Sequence, residues 1–240
     1  MRIVEEAIGG VRVFFTVPNL ITLLNLILGF IAILVVEISP LLCMEIIILA
    51  MIVDALDGFV ARIIKQVSEI GRELDSLADI VSFGVAPAIL VLSVAGETTL
   101  SVVLAIIYTC CGALRLARFN VYGAKTKEFF EGLPIPAAAF FVSTTVVAFG
   151  FPISYVALAI AAPAMISPVL YPTAKTKRGL KCVALVVIMA VVVYMTLIIA
   201  NLIKLSYETL AISGFASLLA IFGWCYAVIG PITMFIMKHL

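Results

Sequence analysis

The sequence predicts an all-α polytopic membrane protein of about eight transmembrane helices, and three observations carry that prediction. Hydrophobic residues make up 65% and charged residues 12% of the 240 positions, against about 45 to 50% and about 25% in soluble domains. The apolar residues gather into runs long enough to cross a bilayer core, which takes about 20 residues of helix for about 30 Å of hydrocarbon. Threaded through eight spans, fourteen of the fifteen lysines and arginines fall on one side, as the positive-inside rule demands of a cytoplasmic face.

In chain order, residues 1–16 place Arg2, Glu5, Glu6 and Arg12 among Ile, Val and Phe, the pattern of an amphipathic helix lying in the membrane interface. The spans are expected at 18–37, 41–64, 73–94, 98–119, 134–151, 154–171, 182–201 and 209–236. Residues 17–172 hold the first six of these spans, and 173–240 the last two. The fifth and sixth are short, FPIS at 151–154 reads as a tight turn or a re-entrant hairpin, and Pro163 and Pro168 kink the sixth. Both termini are expected in the cytoplasm, with only Lys204 on the opposite side and Glu37, Glu97 and Glu208 near outer span ends. Lys175, Lys177, Arg178 and Lys181 form a cytoplasmic cluster suited to anionic lipid.

Several functions are excluded at this stage. The net charge of +1 is scattered among apolar spans, which offers nucleic acid no basic face. The five cysteines, Cys43, Cys110, Cys111, Cys182 and Cys225, show no metal-ligand spacing and read as packing residues. The N-terminus has no basic region followed by an apolar block, so no cleaved signal peptide is expected. The lone histidine, His239, stands in the tail.

Against this background Asp54, Asp57, Asp75 and Asp79 stand out, four carboxylates within 26 residues of an apolar chain. Ionisable groups in membrane segments must be paired, hydrated or metal-bound, and their default reading is functional. A second helix entering at residue 41 reaches Asp54 after roughly 20 Å and Asp57 after roughly 24 Å. Asp75 and Asp79 open the third, so all four meet near the cytoplasmic interface. Spacings of i,i+3 and i,i+4 put each pair on one helix face. Clustered carboxylates repel, and divalent cations with hard oxygen preferences relieve that repulsion. Two ions about 3.5 to 4 Å apart would suit a phosphoryl or phosphatidyl displacement. Gly58 and Ala61 leave room for a base or diphosphate beside the carboxylates, Arg62 adds positive charge, and Gly71 lets the chain turn back with Arg72 at the interface.

Asp54, Asp57, Gly58, Ala61, Arg62, Gly71, Asp75 and Asp79 fill every fixed position of DxxDGxxARx8GxxxDxxxD, and in this the chain resembles the CDP-alcohol phosphatidyltransferase family. That resemblance implies transfer of a lipid phosphatidyl group from a CDP-activated donor to an alcohol, with release of CMP. It implies Asp54, Asp57 and Asp75 as ligands of Mg²⁺ or Mn²⁺, and Asp79 as metal contact and general base. It also implies a six-helix core and a homodimer. PNLITLLN at 18–25 resembles the family's first-helix motif, implying contacts from Asn19, Thr22 and Asn25 to the nucleotide or metal site. SFGVAPA from Ser82, RLARFN from Arg115 and EGLPIPAA from Glu131 resemble the membrane-integral serine-using branch, with L-serine as acceptor.

The residues themselves allow an acceptor pocket. Ser82 shares the face of Asp79, and Arg115 and Arg118 near the cytoplasmic end of the fourth span can hold a carboxylate bidentately. Snorkelling anchors are the competing reading for both arginines, and a backbone hydrogen bond for Ser82. Glycerol phosphate or an inositol phosphate as acceptor would use the same chemistry. A secondary transporter would predict internal repeats and interrupted helices near the midplane; the chain shows no clear repeat, and its carboxylates are expected nearer one face.

Overall fold

The computed structural model describes residues 16–64, 68–122 and 129–172, together with 217, 219–221, 223–224 and 226–227. Helix α1 (Val17–Val35) starts where Thr16 caps it, accepting from Asn19 N at 3.4 Å, with Pro18 in the first turn. It buries Asn19, Thr22, Asn25, Gly29 and Ala32 along one face and exposes Leu20, Leu24, Ile27, Ile31 and Leu34 on the other. The polar stripe therefore points inward and the apolar one outward, the reverse of a soluble helix and the arrangement expected where the solvent is lipid. Helix α2 (Pro40–Ile63) begins at a second cap, with Leu42 N donating to Ser39 Oγ at 3.2 Å, and packs along α1.

Ser68 opens α3 (Glu69–Asp79) by accepting from Gly71 N at 3.0 Å. The chain then widens into a π-helical turn, Ile80–Val85, in which Ala86 N donates to Val81 O, and continues as α4 (Ala86–Ala95). Such a turn misaligns carbonyls, and two of them are taken up by α5 (Thr99–Tyr122): Tyr108 Oη donates to Phe83 O at 2.9 Å and Thr109 Oγ1 to Gly84 O at 3.4 Å. Helices α6 (Ile135–Phe149) and α7 (Ile153–Ile166) form an antiparallel pair behind this layer. Met44, Ile47, Phe83, Leu90, Tyr108, Phe141 and Leu158 fill the core between them.

Among the described residues, three stretches are long and apolar enough to cross a membrane: Val17–Val35, the continuous Glu69–Ala95 and Thr99–Tyr122. α2 has the length, at 24 residues, but carries Glu45, Asp54 and Asp57. α6 and α7 are apolar and shorter, 15 and 14 residues. The amphipathic helix expected over 1–16 and the spans expected at 182–201 and 209–236 lie outside the described residues, apart from residue 16 and the few positions between 217 and 227.

One expectation is corrected, at the end of the sixth span. The sixth span ends at Ile166 rather than 171, because Pro168 drives Ser167 into an extended conformation with ψ 155°. The chain beyond it is not helical: β2 (Leu170–Pro172) pairs antiparallel with β1 (Phe129–Glu131), Phe130 opposite Tyr171. Apart from this ribbon of two three-residue strands, the described elements are helical, as the all-α reading expects.

Candidate active site

α2 and α3 converge at the end where α3 begins. Asp57 and Asp79 are 6% exposed, with Asp54 and Asp75 half-buried between them. Carboxylate oxygens of Asp54, Asp57 and Asp75 all lie within 4.8 Å of one another, and Asp54 stands within hydrogen-bonding distance of both Asp75 and Asp79. Among the described residues no lysine or arginine forms an ion pair with any of the four. Asp75 Oδ1 is buried without a hydrogen-bond partner. Hard oxygens, mutual repulsion and an orphaned buried acceptor together fit a divalent cation, so Asp54, Asp57 and Asp75 are the residues that can hold one. Asp79 stands beside that trio.

α1 positions two of these carboxylates. Thr22 Oγ1 donates to Asp57 Oδ2 at 2.7 Å while also lying 3.1 Å from Pro18 O. Asn25 Nδ2 donates to Asp79 Oδ1 at 3.4 Å, and its own Oδ1 is buried and unpartnered. Replacing Thr22 by valine keeps the shape and removes the donor to Asp57. Loss of such an outer hydrogen bond weakens metal binding about 10- to 100-fold, so Mn²⁺ titration of the purified T22V protein should give an affinity at least about tenfold lower than wild type. An unchanged affinity would show that Thr22 does not orient Asp57.

Beside the trio opens a cavity of about 230 Å³ lined by Asn19, Thr22, Asp57, Gly58, Ala61, Gly71, Arg72 and Asp75. Eight residues expected at a nucleotide and metal site thus share one space. A Cβ on Gly71 would come 3.0 Å from Asn19 Oδ1 and Ser68 Oγ, so the glycine leaves these two side chains room at the cavity wall. The amino end of α3, at Ser68 and Gly71, faces the same cavity and brings the positive end of a helix dipole. Arg72 is exposed and 3.9 Å from Glu73. Arg62 lies in α2 with its side chain outside the described residues.

The expected acceptor pocket divides. Arg115 is 8% exposed, lies over the Phe119 ring at 5.7 Å, and is within electrostatic reach of Asp79 and Asp54. Among the described residues it makes no hydrogen bond. Arg118, one turn on, is committed elsewhere. Its guanidinium donates to Ile166 O at 2.9 Å, Glu131 O at 2.9 Å and Met165 O at 3.2 Å, capping the carboxyl end of α7 and holding β1. Ser82, expected to face the acceptor, is fully buried and donates to Asn25 O at 3.0 Å. Its neighbour across the interface is Gly29, where a Cβ would come 2.7 Å from Ser82 Cα.

Gly29 and Asn120 were not singled out in the sequence, although a signal for each exists. Gly29 continues the inward stripe of Thr22 and Asn25 by four residues. Asn120 ends RLARFN and donates to Glu73 Oε2 and Ser76 Oγ, both at 3.0 Å, tying the end of α5 to the helix that bears Asp75.

A family model described as CDP-alcohol phosphatidyltransferase matches residues 15–237. The chain is 47% identical over 130 residues to a CDP-diacylglycerol–serine O-phosphatidyltransferase of Methanocaldococcus jannaschii, covering 54% of this chain and 60% of that protein. It is 39% identical over 135 residues to an archaetidylserine synthase of Methanothermobacter thermautotrophicus, covering 55% and 58%. With the CDP-diacylglycerol–serine O-phosphatidyltransferase of Saccharomyces cerevisiae it shares 47% identity over 98 residues, 38% and 36% of the two chains. The chain thus spans about three-fifths of the length of the two archaeal relatives it matches.

Proposed function

From the premise that the chain belongs to the CDP-alcohol phosphatidyltransferase family, we propose that it transfers the phosphatidyl or archaetidyl group of a CDP-activated lipid to the hydroxyl of L-serine, releasing CMP. The observation that carries this reading is the meeting of Asp54, Asp57 and Asp75 at the wall of a cavity that also contains Gly58, Ala61 and Gly71. The names of the relatives support serine as the acceptor, as does Arg115, a buried guanidinium without a hydrogen bond among the described residues.

In this reading Asn19, Thr22, Asn25, Gly58, Ala61, Arg62, Gly71 and Arg72 surround the CDP moiety, and Arg115 holds the serine carboxylate. Asp79, oriented by Asn25, takes the proton of the serine hydroxyl as its oxygen attacks the lipid-linked phosphorus. The bond from that phosphorus to the bridging oxygen breaks, and CMP leaves with the electron pair. Bound Mg²⁺ or Mn²⁺, one ion or two, would supply positive charge to the diphosphate and the departing CMP. The protein otherwise contributes position: reactants held in line need no further ordering on the way to the transition state. Direct displacement needs no nucleophile beyond serine. The eight-span topology, cytoplasmic termini and active site, and a homodimer complete the reading; the distribution of lysine and arginine supports the first two, and the family resemblance the last.

The test is CMP release by purified protein from CDP-diacylglycerol, in Mn²⁺ or Mg²⁺, across L-serine, glycerol 3-phosphate and inositol phosphate. Release with serine alone, abolished by chelator, is the expected outcome. Release with a phosphorylated acceptor and not serine would overturn the acceptor assignment, and no release with any alcohol would overturn the reaction.

A further inference from the structure

The inward carboxylates differ in what holds them. Asp57 accepts from Thr22 and Asp79 from Asn25, both on α1. Asp75 Oδ1 is buried with no hydrogen-bond partner, so where that oxygen stands depends on how α3 itself is turned about its axis.

Contacts on two sides of α3 set that turn. On the side of Asp75, Gly71 lies one turn earlier and backs onto α1, where a Cβ would come 3.0 Å from Asn19 Oδ1. Glu73 and Ser76 are i,i+3, and at about 100° per residue they stand roughly 160° and 100° around the helix from Asp75. Asn120, near the end of α5, reaches that other face twice: its Nδ2 donates to Glu73 Oε2 and to Ser76 Oγ, both at 3.0 Å. Ser76 Oγ also lies 3.2 Å from Arg72 O, which carries the contact onto the backbone of α3. Asn120 is itself braced. Arg118, two residues before it, donates to Ile166 O, Glu131 O and Met165 O, so the last turn of α5 is fixed to α7 and β1. The grip on α3 starts from an anchored point rather than from a loose helix end.

We propose that Asn120 is a positioning residue for the metal centre: by fixing the turn of α3 it gives Asp75 the constant place beside Asp54 and Asp57 that a small cation such as Mg²⁺ requires. The oxygens of that trio lie within 4.8 Å of one another. Mg²⁺ demands near-octahedral ligands at about 2.0 to 2.1 Å, whereas Ca²⁺ takes about six to eight oxygens at about 2.3 to 2.6 Å in flexible geometry. Loosening α3 therefore penalises the small ion and spares the large one. A general loss of folding would weaken both alike. This inference rests on the divalent-cation reading of the trio and is independent of which alcohol accepts the lipid group.

The experiment titrates the purified full chain with Mg²⁺ alone and with Ca²⁺ alone by isothermal calorimetry, in wild type, Asn120→Ala and the α3 double variant Glu73→Ala/Ser76→Ala. Contacts outside the ligand set are worth about 10- to 100-fold in metal affinity, so N120A should bind Mg²⁺ at least about tenfold more weakly. Its Ca²⁺ affinity should stay within about threefold of wild type, because the larger ion adapts to a displaced ligand. E73A/S76A removes the same hydrogen bonds from the α3 side and should lower the ratio of the Mg²⁺ to the Ca²⁺ affinity equally; loss of the Glu73 charge acts on both ions and leaves that ratio alone. Adding N120A to the double variant should lower the ratio no further, as expected of partners in one contact. An unchanged ratio in N120A, whether both affinities fall or neither does, overturns the role of Asn120 and leaves the carboxylate site standing. Wild-type protein that binds neither cation overturns the metal reading, and this inference with it.

Discussion

Asp79→Asn should lower serine-dependent CMP release by about 10² to 10⁴-fold, the range that a positioned general base contributes. The substitution preserves shape and the capacity to accept from Asn25 Nδ2, now 3.4 Å from Asp79 Oδ1, while removing the ability to take a proton. Because the trio whose oxygens lie within 4.8 Å comprises Asp54, Asp57 and Asp75, Mn²⁺ affinity should fall far less than turnover. Chelated D79N protein should also unfold at or above the wild-type temperature, since one of four mutually repelling carboxylates is gone. Turnover within tenfold of wild type would remove Asp79 as the base. Loss of Mn²⁺ binding in parallel with turnover would instead make it a metal ligand first.

The second large effect concerns the ribbon. Gly132→Ala should destabilise the protein by about 2 to 5 kcal/mol, combining a left-handed backbone penalty of about 1 to 2 kcal/mol with overpacking of about 1 to 3 kcal/mol. Gly132 has φ 76°, and its added Cβ would meet Met165 O and come 2.7 Å from Arg118 Nη2. Gly96 provides a comparison free of overpacking: its φ is 82° and ψ 157°, a backbone region essentially confined to glycine, and nothing lies within 4 Å of the Cβ position. G96A should therefore lose only the backbone share, and thermal unfolding of the two variants side by side gives the difference. Equal losses would mean that the Arg118 clamp yields at no cost. If the clamp matters to the acceptor site, G132A should also raise the serine KM and G96A should not.

Much of the site was legible in the chain because its chemistry is local. Asp54 and Asp57 are i,i+3 on one helix and Asp75 and Asp79 i,i+4 on another, so helical geometry alone pairs them, and Gly58, Ala61 and Gly71 fall beside them at fixed offsets. The inward stripe of α1 was equally visible as Asn19, Thr22 and Asn25. Arg115 and Arg118 were not separable in the same way. Both sit on the last turns of α5, three residues apart, and which one faces the carboxylates and which one caps α7 depends on where residues 131 and 165–166 lie. Ser82 meets the same α1 residue as Asp79, but its hydroxyl is spent on Asn25 O within a π-helical turn over Ile80–Val85. No periodicity announces that widening, because the turn is settled by Tyr108 and Thr109, from a helix 25 residues away, donating hydrogen bonds to the displaced carbonyls.

The sequence by itself determined that this is a membrane-embedded chain with a carboxylate cluster near one interface, since the cost of burying charge in hydrocarbon leaves few other readings of four aspartates so placed. Tertiary structure alone decided that Thr22 and Asn25 are holders of Asp57 and Asp79, and that the chain leaves its helix at Ser167 to form a ribbon. Those decisions belong to contacts between residues 35 to 54 positions apart, and a pattern of 3.6-residue period carries no information about which helix another helix will meet.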